Sequence, residues 1–126
     1  MSRLTQITIA KTAYPAVFST GAAKEFTKHF GALEKVTDIF KSKDVTTILD
    51  QLVYMVSVLI QQGCVYKKIV DNEIVSFPTR EELDVLIGLH DLDSITQEVM
   101  RCMGIGNSRE VEVEPDPKNE QTTQEN

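Results

Sequence analysis

Apolar and polar residues alternate over the first ten positions, where Leu4, Ile7 and Ile9 are interleaved with threonine and glutamine. A second short apolar stretch, with Tyr14, Val17 and Phe18, follows over residues 13–18. Period-two alternation of this kind is the mark of a half-buried strand. The two stretches predict a β-hairpin over residues 3–18, turning at Lys11-Thr12, a pair that lacks the usual glycine or asparagine. Pro15 cannot donate to a ladder, which places the second strand at an edge. A two-stranded ribbon is marginal alone, so it has to rest on helices or pair with another chain, the latter being self-association.

The period then changes to that of a helix. Ala22, Ala23, Phe26, Phe30, Leu33, Val36 and Phe40 recur at steps of three and four, predicting helix over about 20–42 with a Ser19 or Thr20 cap. Gly31 interrupts this stripe and costs about 1 kcal/mol against alanine inside a helix. Two helices with a bend at Gly31-Ala32 are therefore expected. Asp44 caps a segment, 44–62, that is apolar around most of its circumference, and Gly63 is read as its C-terminal stop. Such a helix belongs in the core.

Residues 64–77 are ambiguous. Val65/Tyr66, Ile69/Val70 and Ile74 favour a short helix with an extended exit to Phe77-Pro78, while Asp71-Asn72 would also suit a hairpin turn. Thr79-Arg-Glu-Glu82 is a capping-box pattern opening a helix over 79–88, with Leu83, Leu86 and Ile87 on one face. Asp91 or Asp93 starts the last helix, 91–103, closed by Gly104. The fold class is thus α+β, mostly α: a hairpin packed on about five short helices in a single domain, residues 1–104. Residues 105–126 are polar and acidic with two prolines, and are expected to be a disordered tail.

The 126 residues are 41% hydrophobic and 25% charged, values of a globular chain. Net charge is −6, of which −4 falls in residues 105–126, where six acids face Arg109 and Lys118. No basic field is available for a phosphate backbone, so nucleic acid is not an expected partner. The longest apolar run, Leu52–Ile60, is broken by Ser57 and is too short to span a bilayer, which takes about 20 residues. No secretory signal is visible, and Cys64 and Cys102 are read as free thiols of a cytoplasmic protein.

Candidate chemistry is sparse. His29, Cys64, His90 and Cys102 could ligate zinc, yet none are paired at ligand spacing. Asp91-Leu-Asp93-Ser-Ile-Thr departs from a calcium loop at Ile95, Thr96 and Cys102, where a ligand, a glycine and a glutamate are needed. Gly104-Ile-Gly106 has Arg109 in place of a third glycine and no preceding strand, so it is not a nucleotide loop. An enzyme would require a pocket joining His29 or His90 to Cys64 or Cys102, with no flanking motif to suggest one. No catalytic residue, cofactor or metal is expected, and the chemistry is that of a binding module.

The block Ala13-Tyr-Pro-Ala-Val-Phe-Ser-Thr-Gly-Ala-Ala-Lys-Glu-Phe-Thr-Lys-His-Phe-Gly-Ala-Leu-Glu-Lys35 resembles the opening of a family of small proteins from phages and prophages of Gram-positive bacteria. The Phe30-Gly31-Ala32-Leu33-Glu34 junction, the helix end Ile60-Gln-Gln-Gly-Cys64 with Tyr66-Lys67, and the Thr79-Arg-Glu-Glu82 cap are similar as well. Together they cover about residues 5–104. The family is that of the tail assembly chaperones of long-tailed phages. The resemblance implies a non-enzymatic protein of the bacterial host cytoplasm that coats the tape measure protein, recruits tail tube subunits and is absent from the mature virion. Tyr14 and Phe18, apolar positions of the hairpin, are the partner-binding candidates. The alternative is a structural tail or head–tail connector protein retained in the particle. The resemblance also implies a longer form made by a −1 ribosomal frameshift, for which Pro117-Lys118-Asn119 permits a slippery heptamer.

Overall fold

A computed structural model of the chain describes residues 4–104. The expected tail, 105–126, lies outside them. The order is strand β1 (Thr5–Ile9), strand β2 (Thr12–Ala16), then helices α1 (Thr20–Phe30), α2 (Lys35–Ile39), α3 (Val45–Asp71), α4 (Arg80–Leu86) and α5 (Leu92–Met103), with a 3-10 turn, Leu89–Asp91, before the last. The architecture is an antiparallel hairpin packed on a mostly helical bundle.

The strands pair from Thr5 opposite Ala16 to Ile9 opposite Thr12, with Tyr14 facing Ile7 and Pro15 facing Gln6. The turn is Ala10-Lys11, one residue earlier than the sequence predicted. Both residues have positive φ, 50° and 71°. That backbone matches the right-handed twist of the strands. Neither residue is a type that favours it, so no local signal marks the turn at this position. Ile7, Ile9 and Ala16 are buried on the inner face.

Ser19 caps α1 by accepting the Ala22 N–H at 3.1 Å, and its hydroxyl also bonds Gln62 of α3. The expected break comes at Gly31, which takes φ +90° beyond the end of α1. Val36 of the short α2 returns to the core.

Gly63 corrects the sequence reading. It does not stop the central helix. α3 runs 27 residues and ends at Asn72 in the left-handed conformation. The short helix expected within 64–77 is fused to the core helix, and no hairpin forms at Asp71-Asn72; residues 72–79 form neither helix nor strand. Gly63 is buried because β2 crosses it: a Cβ there would fall 2.3 Å from the Pro15 carbonyl carbon and oxygen. The Val17 N–H donates to Leu59 O, one turn earlier, at 3.2 Å. Glycine serves this crossing by its missing side chain, the same property that suits it to a helix end.

α3 is the centre of the fold. Leu52, Met55, Val56, Leu59 and Ile60 are sealed by the hairpin, α1, α4 and α5, with Phe26, Leu83 and Val99 among the facing residues in one hydrophobic cluster. By length and composition α3 could cross a membrane, but half of its most apolar window is buried inside the protein, as in a core helix. The capping box forms as predicted: Glu82 N–H donates to Thr79 Oγ1 at 3.1 Å and Thr79 N–H to Glu82 Oε1 at 2.8 Å.

A candidate partner-binding surface

The polar candidates do not assemble. Among the described residues no group of three His, Cys, Asp or Glu could hold a metal ion. Cys64 and Cys102 are free and buried, and burial pushes both thiols up from their ordinary value, away from the reactive thiolate. His29 is stacked on Tyr54 at 3.9 Å between ring centres, with its Nε2 2.7 Å from Gln51 Oε1. His90 stands on the 3-10 turn beside Asp91. Asp91 Oδ2 accepts the Gly88 N–H at 3.1 Å and so closes the 3-10 turn, while its side chain makes no cap hydrogen bond to α5, the helix it was expected to cap.

Exposed apolar side chains are concentrated in one stretch. Ten large hydrophobic residues are exposed among the described residues, and eight fall between positions 65 and 89: Val65, Ile69, Val70, Ile74, Phe77, Val85, Leu86 and Leu89. The cause lies in α3. Past Cys64 the helix continues for seven residues, about two turns, while the elements packed on it fall away. Ile69 is 76% exposed and Ile74 84%. The overhang is held by Lys67, whose carbonyl accepts the N–H groups of Asn72 and Glu73 and whose ammonium pairs with Asp71 and Glu73 at 3.2 Å each. The Glu73 and Asp71 carboxylates raise the Lys67 pKa.

α4 completes the surface. Only Leu83 of this helix is buried, while Val85 on its outer side is 83% exposed. An open groove of about 450 Å³ runs between α4, the extended segment and the hairpin, lined by Tyr14, Phe77, Pro78, Glu82, Val85 and Leu86, with Ser76 at its side. The Glu82 carboxylate is already committed to the capping box. What remains is largely apolar.

The structure separates the two hairpin candidates. Tyr14 lines this groove. Phe18 does not; its ring stacks on Phe26 at 5.8 Å, in an aromatic group with Phe30, Tyr54 and His29. Burial raises the Tyr54 pKa, with Glu25 adding to the rise and Arg80, whose guanidinium lies 5.5 Å from the ring centre, opposing it. The sequence reading missed Ile69, Ile74, Phe77 and Val85 as surface residues. Their signal is present in the pattern: apolar residues at 65, 69, 70 and 74 lie on more than one face, and a helix end has too few neighbours to bury them all.

Comparison with known families, curated proteins and solved structures finds no match to this chain.

Proposed function

We propose that this chain is a non-enzymatic tail assembly chaperone of a long-tailed phage or prophage, acting in the host cytoplasm. In this proposal the surface over residues 65–89 binds the tape measure protein and keeps its apolar helix soluble while tail tube subunits are recruited. The observation that carries it is the exposed apolar overhang and groove, together with the Tyr-Pro strand and Phe-Gly-Ala-Leu-Glu bend that resemble the family. An apolar helix laid in a groove is read by anchors spaced three, four and seven residues apart.

Energetics sets the extent of the contact. Fully burying an exposed Val, Leu or Phe is worth about 1.5–3 kcal/mol. With Phe77 43%, Val85 83% and Leu86 37% exposed, the three together supply only roughly 2–5 kcal/mol gross. Association costs about 4–15 kcal/mol in lost freedom. The groove alone does not offset that cost, so the partner has to reach Ile69 and Ile74 on the overhang as well.

Co-expression with a tape measure fragment tests the proposal. A soluble complex that copurifies is expected, and a fragment that stays insoluble in the presence of this chain would defeat it. Mass spectrometry of purified particles separates the alternative, since a connector or tail structural protein would be found in the virion and a chaperone would not.

A further inference from the structure

We infer that the outer face of α1 is a docking site for the acidic segment 110–116 of the same chain. This inference is independent of the tape measure proposal and concerns a different face of the molecule.

α1 presents a shallow groove lined by Thr20, Ala23, Lys24, Thr27 and Lys28. Its lining includes no acid. Thr27 turns its hydroxyl inward to the Ala23 carbonyl at 2.8 Å, so the floor is methyl groups flanked by two ammonium groups. Neither Lys24 nor Lys28 takes part in an ion pair among the described residues. A groove of this kind favours an extended segment that carries acids at regular intervals and small apolar residues between them.

The chain supplies such a segment. Glu110-Val-Glu-Val-Glu-Pro-Asp116 has four acids, each two positions from the next, and no base. In an extended chain, residues two apart are separated by about 6.6 Å. Lys24 and Lys28, four apart on a helix, are separated by a rise of about 6 Å. Two successive glutamates therefore match the two lysines in register.

Chain exit and length agree. The Cys102 thiol lies close to the Thr5 side chain and the Phe18 backbone, which puts the end of α5 beside the entry to α1. From Gly104, five residues precede Glu110. They span up to about 17 Å, against about 12 Å from Thr20 to Lys28 along the helix. Individual surface ion pairs are weak. Tethering changes the outcome, because a short linker holds the segment at an effective concentration in the millimolar range. A contact too weak to form between separate molecules is populated within one.

The test uses the full chain with a spin label on Pro117→Cys, which leaves all four acids of the segment in place; Cys64 and Cys102 are buried and less accessible to the reagent. Amide signals of Thr20–Lys28 should broaden at low ionic strength, and the broadening should be lost at about 1 M salt, where screening acts within about 3 Å. It should also be lost in K24E/K28E and return when Glu112 and Glu114, two apart like the matched pair, are changed to Lys in that background. Broadening spread evenly over the surface, or concentrated on Tyr14, Phe77 and Val85 of the other groove, would overturn the inference, as would broadening of α1 that survives K24E/K28E.

Discussion

Gly63 and Pro15 meet backbone to backbone: the helix face at Gly63 is the seat on which β2 rests, with no room for a methyl group between them. An ordinary glycine inside a helix gains about 1 kcal/mol on replacement by alanine. Here the new Cβ would press on a peptide group that cannot rotate away, and overpacking of this kind costs about 1–3 kcal/mol. Gly63→Ala is therefore expected to destabilise the protein, measured by urea unfolding. A stabilised variant would show that the hairpin does not sit on α3 this closely.

Thr79 and Glu82 satisfy each other's backbone donors at the start of α4. Loss of such a cap costs about 0.5–2 kcal/mol. Thr79→Ala should lower stability by about that amount, whereas Thr79→Ser, which keeps the hydroxyl, should stay near the parent protein. Thermal melts of the two variants, compared directly, check the cap.

Every resolved shift in ionisation points the same way. Cys64, Cys102 and Tyr54 are raised chiefly by burial, and Lys67 chiefly by the Glu73 hydrogen bond. A raised native pKa contributes stability that is complete below the unfolded value and is lost as pH rises through the native one. With the thiols ordinarily at 9.0 and the others at 10.0 and 10.5, stability from these groups should hold at neutral pH and fall above about pH 9. Cys102→Ala should blunt the alkaline loss in a denaturation series against pH. A parent protein equally stable at pH 7 and pH 10.5 would contradict the assignment.

Val85 is the position where binding and folding should separate. At 83% exposure it contributes little to the core. Val85→Glu is expected to change stability by less than about 0.5 kcal/mol, as exposed substitutions usually do. It should nonetheless weaken capture of a tape measure fragment at least tenfold, and Ile69→Glu on the overhang should do the same. Leu83→Glu is the contrasting variant, since that side chain is fully buried and its loss should unfold the protein.

The elements that the sequence revealed are those whose cause is local. Alternation at Ile7 and Ile9 gives the hairpin, Gly31 the bend and Thr79 the cap, all within a few residues of the effect. The turn at Ala10-Lys11 was hidden because its positive φ values are imposed by strand pairing on residues that do not prefer them. Gly63 was misread because helix termination and close approach select the same residue, and only the path of β2 decides between them. The apolar surface is half legible: Ile69 and Ile74 stand out as helical repeats, but whether they are covered depends on how far the elements packed on α3 extend along it, and both side chains are left exposed. Of the two hairpin candidates, Tyr14 lines the groove, while the ring of Phe18 stacks on Phe26.

α3 is about 40 Å long at 1.5 Å per residue. Its first five turns hold the core together and its last two carry the exposed face, with Gly63 clamped by Pro15 near the junction. No break in the helix separates these parts, so the exposed face and the core share one continuous hydrogen-bonded rod. Binding at the overhang should therefore slow hydrogen exchange along the whole of α3, well beyond the residues touched.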